Sequence, residues 1–164
     1  MPGKVNKTIL IVYIFVAAGT AAWLGAIFWA PYLRSHFSPW QRFAYAIFSP
    51  VCHQISSRSF HFLGQPLAVC ARCLGIYSGF LIGVLLYPFL RGFCRLTLPR
   101  TKVFLFVSFP IVTDTLGNFV RLWDTSNEVR FATGLLWGAI LPLYFITGLA
   151  DLALQHKKRP SPKT

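Results

Sequence analysis

Residues 73–90 read CLGIYSGFLIGVLLYPFL, a run without a single charged side chain. A helix needs about 20 mostly apolar residues to cross the hydrocarbon core of a bilayer. Gly75, Gly79 and Gly83 recur at every fourth position, which places them on one helix face. Glycines on one face allow a neighbouring backbone to approach closely. The run therefore predicts a transmembrane helix that packs tightly against another helix.

Three further apolar runs predict spans over about 8–30, 103–120 and 130–152, in addition to 73–90. The run at 130–152 carries Gly134 and Gly138 at the same four-residue spacing, and 125–128 (TSNE) reads as a capping box that starts this helix near Ser126. We expect an all-α membrane protein with four transmembrane helices, in a single integral membrane domain over 1–164. The glycine faces could also support an oligomer.

The composition agrees with a membrane protein. The chain is 55% hydrophobic and 12% charged, whereas soluble domains carry about 25% charged residues. A disordered chain would be poor in apolar residues. The basic residues lie between apolar runs and form no stripe, which argues against nucleic-acid binding. The first run follows Lys4 and Lys7 and could be a signal peptide, but it continues to Trp29, and signal peptides have a shorter apolar region of about 7–15 residues.

The segment 31–72 between the first two runs is too polar to cross a membrane. Within it, Trp40, Phe43, Ala44 and Ile47 follow a helical spacing after Ser38-Pro39. This spacing predicts a short helix lying in the membrane interface in the first outer loop; a helix packed on the spans is the alternative.

Orientation follows from the distribution of Lys and Arg. These residues are more frequent in the N-terminus, the 91–102 loop and the tail than in 31–72 and 121–130. We expect a multi-pass protein of the cell (plasma) membrane with both termini in the cytoplasm. The segments 31–72 and 121–130 then face outward together.

Cysteine and histidine are concentrated in the outer segment, at Cys52, His53, His61, Cys70 and Cys73. A C-x-x-C pair with further Cys or His residues is typical of zinc sites. The pattern predicts a site for zinc or another divalent transition metal. Two alternatives remain open, a disulfide or redox pair at Cys70 and Cys73, and buried thiols that only pack. Cys94 falls on the opposite side and is interpreted as an unrelated thiol.

Asp114 lies inside the predicted third span, where a carboxylate is costly unless it is paired. It shares a helix face with Asn118 and Arg121. One hypothesis makes Asp114 catalytic, in a polar pocket beneath the Cys/His segment that takes an anionic or lipid-like ligand; the alternative is an Asp–Arg pair that locks two helices together. The candidate ligand-binding residues are Arg121, Arg130, Asn118, Asn127, Arg58 and Arg72.

Four sequence motifs are similar to those of a known protein family: CHQISSRSF from Cys52, CARCLGIYSGF from Cys70, DTLGNFVR from Asp114 and SNEVRFATGLLWG from Ser126. Over about 50–138 the chain resembles the uncharacterised prokaryotic membrane protein family called domain of unknown function 2085. The resemblance supports the site residues and implies no reaction.

Three functions are compatible with these patterns. The first is a membrane protein whose Cys/His metal site is structural, or is catalytic on a lipid-like or anionic ligand. The second is a thiol–disulfide redox protein, and the third is an oligomeric transporter or channel component. No phosphate-binding glycine loop, nucleophile elbow or H-E-x-x-H pair is present, and whether the protein is an enzyme stays open.

Overall fold

The computed structural model describes residues 7–92 and 100–158. Five α-helices make up most of this part of the chain. They are α1 (Lys7–Ser35), α2 (Gln41–Ala46), α3 (Ala71–Leu90), α4 (Thr101–Phe119) and α5 (Asn127–Lys158). A single 3₁₀ turn (Ser56–Arg58) and two short strands, β1 (His61–Phe62) and β2 (Gln65–Pro66), lie between α2 and α3.

The four long helices lie where the apolar runs predict them. Among the described residues, α1, α3 and α5 over Asn127–Gln155 are long and apolar enough to cross a membrane. α4 is not among these candidate spans, because Lys102, Asp114 and Asn118 lower its mean hydropathy. The described residues therefore contain three candidate spans, while the fourth span stays a prediction.

α3 and α5 pack backbone against backbone through their glycines. A Cβ atom added to Gly75, Gly79 or Gly83 would collide with a main-chain carbonyl oxygen of α5. Likewise, a Cβ atom added to Gly134 or Gly138 of α5 would collide with a main-chain carbonyl oxygen of α3. This confirms the close approach that the four-residue spacing predicts. Both glycine faces are used within one chain, so an oligomer would need other surfaces.

α1 packs along the α3–α5 pair and contributes to an apolar cluster at each end. Toward one end, Ile9 and Val16 pack with Tyr87 and Ile146. Toward the other end, Ile27 and Ala30 are buried against the segment that precedes α3. The residues that this segment contributes to the cluster are Phe48, Cys52, Leu67, Ala68 and Val69. The cysteine segment is thus anchored to α1.

The structure is mostly helical, as predicted, but the segment between α1 and α3 also contains a short β-hairpin that was not predicted. β1 pairs with β2 in antiparallel register, His61 opposite Pro66 and Phe62 opposite Gln65. Leu63 and Gly64 connect them with φ of 53° and 73°, as a two-residue type I′ turn requires. The pattern was missed because two-residue strands show no alternation, and Leu is unusual at positive φ.

A short helix is present where the Trp40–Ile47 spacing predicts one. α2 is six residues long and buries none of them. It is attached through Tyr45, whose hydroxyl donates a hydrogen bond to the carbonyl oxygen of Pro66 (2.6 Å). Its position in a membrane interface stays a prediction.

α4 ends in a Schellman turn that redirects the chain. The N–H of Leu122 donates to the Gly117 carbonyl (2.9 Å) and that of Arg121 donates to the Asn118 carbonyl (3.4 Å). Arg121 takes the left-handed conformation that this turn requires, with φ of 58°. The helical face predicted for Asp114, Asn118 and Arg121 therefore ends before Arg121. Cys94 and the basic residues Lys4, Arg95, Arg159 and Lys163 lie outside the described residues.

Candidate metal centre and its arginine-lined pocket

Three cysteines meet at the start of α3. The sulfur atoms of Cys52, Cys70 and Cys73 all lie within 4.8 Å of one another. Cys70 precedes α3 with an extended backbone, and Cys73 lies in its first turn. Cys52 reaches them from the turn after α2, where its N–H donates to the Phe48 carbonyl (2.9 Å). This group, Cys52 with Cys70 and Cys73, is called the cysteine cluster below.

The surroundings of Cys52 favour its thiolate. The backbone N–H of Cys70 donates to the Cys52 sulfur at 3.1 Å. Hydrogen bonds from the thiols of Cys70 and Cys73 lower the pKa of Cys52, and they outweigh the burial that acts in the opposite direction. Thiolates are the form that binds metals and attacks disulfides. No disulfide joins these three cysteines.

Neither predicted histidine ligand joins the cysteine cluster in the described part of the chain. His53 lines the pocket beside the cluster, whereas His61 is exposed on β1. Both histidines were predicted as ligands because they are near the cysteines in the sequence, but the structure does not place either of them with the three sulfur atoms.

A pocket of about 340 Å³ opens beside the cysteine cluster. The three cysteines line it together with polar side chains from three parts of the chain, namely His53, Gln54, Arg58, Arg72, Asn118 and Arg130. Arg58 makes no ion pair within residues 7–92 and 100–158. The Nε of Arg72 is buried and lacks a hydrogen-bond partner in the same ranges. Four of the predicted ligand-binding residues thus lie together: Arg58, Arg72, Asn118 and Arg130.

A polar network beneath the pocket connects α3, α4 and α5. Arg72 forms an ion pair with Asp114, which is only 7% exposed. The other carboxylate oxygen of Asp114 accepts hydrogen bonds from Thr125 (2.6 Å) and Asn118 (3.0 Å). Arg130, 5% exposed, donates to the side-chain oxygen of Asn118 (2.9 Å). The network positions two of the arginines that line the pocket.

The remaining predicted ligand residues lie outside this pocket. Arg121 is exposed in the turn after α4. Asn127 supports the site from outside: its amide donates to the Ser57 carbonyl (3.2 Å), which ties the start of α5 to the cysteine segment. Asp114 does not line this pocket. It lies beneath the pocket, where it is paired with Arg72.

A model of the family described as "Predicted membrane protein (DUF2085)" matches residues 52–144, more than half of the chain. The chain belongs to this family. The match confirms the resemblance seen in the sequence, and it begins at Cys52 of the cysteine cluster.

Two relatives of this DUF2085 protein come from archaea. An uncharacterised protein of Methanocaldococcus jannaschii is 34% identical over 146 residues, covering 81% of this chain and 92% of the relative. An uncharacterised protein of Methanothermobacter thermautotrophicus is 33% identical over 88 residues, covering 54% of this chain and 78% of the relative. No solved structure matches.

Two polar residues of this site, Thr125 and Gln54, were not predicted as site residues from the sequence. Thr125 completes the Asp114 network, although it was noted only as part of a helix cap. Gln54 donates from its side-chain amide to the carbonyls of Tyr45 (2.7 Å) and Ala68 (2.9 Å), and so fixes the loop that presents Cys52. Its position directly after Cys52 and His53 was the available signal.

Proposed function

We propose that the cysteine cluster binds zinc or another divalent transition metal and leaves a coordination position open toward the arginine-lined pocket. The observation that carries this proposal is the meeting of three thiols within 4.8 Å. Sulfur ligands of a tetrahedral zinc lie about 3.8 Å apart, since each Zn–S bond is about 2.3 Å. Closing the cluster onto a metal therefore needs movements of only about 1 Å.

The open position is supported by the ligand count. A structural zinc site has four protein ligands, whereas a site with three retains one position for water or a substrate. No histidine of the described residues lies with the three thiols, and the pocket beside them is open. A water bound there would be acidified toward neutral pH, which suits hydrolysis of an ester or phosphoester. If His53 were to complete the set, the site would be closed and structural.

The ligand class follows from charge. Three thiolates around a divalent metal would leave one net negative charge, which Arg58 offsets, whereas Arg72 is paired with Asp114 and Arg130 with Asp124. Arginine side chains bind phosphate and carboxylate groups through paired hydrogen bonds. We infer that the pocket takes an anionic or lipid-like ligand. Asp114 orients Arg72, and Asn118 orients Arg130. Asp114 and Asn118 therefore act as positioning residues.

The setting is a plasma-membrane protein with four spans. α4 has 19 residues and is thus about 28 Å long, close to the hydrocarbon thickness of about 30 Å. Large apolar side chains of α4 are exposed, among them Leu105, Phe106, Phe109 and Phe119, as contact with lipid requires. We infer that α1 is retained as a span, that α2 lies in the interface, and that both termini are cytoplasmic.

Metal content of the detergent-purified protein tests the proposal. We expect about one divalent metal per chain by elemental mass spectrometry. Cys52→Ser, Cys70→Ser and Cys73→Ser should each lose the metal, because each removes one of the three ligands. Cys94→Ser is the matched control, since Cys94 follows the far end of α3, and it should retain the metal. A metal-free wild-type protein would contradict the proposal, and loss of metal in His53→Ala would point to a closed site.

A redox function is the second candidate, favoured by three free thiols in mutual contact range. In this case two of the three cysteines, Cys52, Cys70 and Cys73, form a disulfide while the disulfide of a partner protein is reduced. Two protons and two electrons pass to that partner. The reverse exchange restores the thiols. Thiol counting on the denatured chain before and after reduction distinguishes the two functions. A gain of two thiols without bound metal supports the redox protein.

A further inference from the structure

A second polar pocket, of about 410 Å³, lies beside the end of α1 and apart from the cysteine cluster. Its polar lining comes from two arginines, two side-chain amides, a phenol and a hydroxyl: Arg34, Arg42, Gln41, Gln54, Tyr45 and Ser56. No carboxylate lines it, and neither arginine forms an ion pair within the described ranges 7–92 and 100–158. This pocket is called the Arg34/Arg42 pocket below.

Internal contacts leave the positive charge of this pocket uncompensated. The guanidinium carbon of Arg34 lies 5.6 Å from the centre of the Tyr45 ring, in a cation–π contact. Burial raises the pKa of Tyr45, although Arg34 acts in the opposite direction, so the phenol is neutral near pH 7 and supplies no counter-charge. Arg34 also lies in the last turn of α1, where the helix dipole favours a cation. The dipole does not account for Arg42, which lies on α2.

With α1 across the bilayer, as proposed above, the pocket falls at the depth of lipid headgroups. α1 has 29 residues and is thus about 43 Å long, which matches a bilayer of about 40–45 Å including its headgroups. Beside the pocket, Phe37, Trp40 and Phe43 are 89%, 67% and 64% exposed. Exposed aromatic side chains are typical of the membrane–water boundary. A cation pair at this depth therefore faces the phosphates of one leaflet.

We propose that the Arg34/Arg42 pocket binds the phosphate headgroup of an anionic membrane lipid. The two guanidinium groups bind the phosphate oxygens, as arginine does through its paired donors, and the adjacent amide of Gln41 contacts the polar part of the headgroup. The exposed aromatic side chains contact the acyl region. No residue of the cysteine cluster lines this pocket, although Gln54 lines both this pocket and the one beside the cluster.

Native mass spectrometry of the full-length, delipidated protein in detergent tests this site with phosphatidylglycerol as the probe. We expect the double variant Arg34→Gln/Arg42→Gln to weaken binding of the first lipid about tenfold or more, because each arginine near a membrane surface contributes to anionic-lipid binding. Arg100→Gln/Lys102→Gln is the matched control, which removes two exposed charges elsewhere and should bind as the wild type does.

Three results would overturn the assignment. Equal phosphatidylglycerol affinity in wild type and the Arg34/Arg42 double variant would show that the pocket does not bind the lipid. Equal binding of diacylglycerol, which lacks the phosphate, would show that only the aromatic surface is recognised. Displacement of the lipid by an equal concentration of inorganic phosphate would assign the pocket to a free anion. Retained folding of the double variant is checked by its thermal unfolding, since neither arginine is buried.

Discussion

α3 is joined to α5 and to α4 in two different ways. Against α5 it presents Gly75, Gly79 and Gly83, and the two backbones touch. Its link to α4 includes the ion pair of Arg72 with Asp114, in the network beneath the arginine-lined pocket. Inside a bilayer the hydrophobic effect does not drive helices together, so close van der Waals packing and polar pairs must hold them. The α3–α5 interface is held by close backbone packing, whereas the α3–α4 interface depends on a charged pair.

The glycine interface should be the more sensitive of the two to mutation. Gly79→Ala places a Cβ against the Leu135 carbonyl and the Ala139 nitrogen, and backbone atoms cannot move aside as side chains do. We expect a loss of about 3 kcal/mol or more in unfolding free energy, at the upper end for overpacked sites, measured by unfolding in mixed micelles.

Gly19→Ala is the matched control for this prediction. Gly19 also lies in a long apolar helix, but a Cβ added there meets no atom within 4 Å. The control should be as stable as the wild type or more stable, because alanine favours the helix. Equal stability of Gly79→Ala and Gly19→Ala would show that α3 and α5 are not in backbone contact.

Breaking the charged interface should cost less. Asp114→Asn leaves an acceptor for Thr125 and Asn118 but removes the charge opposite Arg72. Loss of one partner from a buried pair costs about 3–5 kcal/mol, and because the Arg72 side chain is 22% exposed we expect about 2 kcal/mol. The exposed Asp151 provides the control Asp151→Asn, which should leave stability unchanged.

A double variant sharpens the Asp114 prediction. Arg72→Gln/Asp114→Asn removes both charges, so its loss should be smaller than the sum of the two single losses. Strictly additive losses would show that Arg72 and Asp114 do not interact, and that Asp114 is held by its hydrogen bonds alone.

The two interfaces also differ in how far the sequence predicts them. A four-residue glycine spacing is a local pattern, and a helix converts it directly into a flat face, so both the α3 and the α5 glycine faces were predictable. The pairing of Asp114 with an arginine was predicted as a type of contact, but the partner was not identified. Arg72 is 42 residues away along the chain, and only the tertiary packing of α3 and α4 brings the two together.

The candidate metal site shows the same limit. The C-x-x-C spacing places Cys70 and Cys73 on one helical turn, so their proximity is local. Cys52 lies with them, but His53, which is adjacent to Cys52 in the sequence, and His61 do not. His61 instead lies on strand β1 of the hairpin, which turns at Leu63 and Gly64, and its side chain is exposed. Residues at positive φ other than glycine leave little trace in the sequence, and the Arg121 turn was unpredictable for the same reason.

The smallest effect is expected where α4 meets α5 away from the charged network. The indole N–H of Trp137 donates to the Ser108 hydroxyl oxygen (2.9 Å), and Trp137→Phe removes this bond. Ser108 is not left unsatisfied, because its hydroxyl donates to the Phe104 carbonyl (2.8 Å). Interhelical hydrogen bonds in membrane proteins contribute about 0.6 kcal/mol on average, and we expect a loss of that size in thermal unfolding.

Trp29→Phe is the matched control for Trp137→Phe, because Trp29 is 61% exposed on α1 and should tolerate the change. A loss above about 2 kcal/mol in Trp137→Phe would exceed the measured range for such bonds. It would mean that α4 is attached to α5 chiefly through this contact. The ion pair of Asp114 with Arg72 would then contribute to the shape of the pocket more than to the stability of the fold. A loss near the average would instead show that the Asp114 network contributes more to the attachment of α4 than this hydrogen bond does.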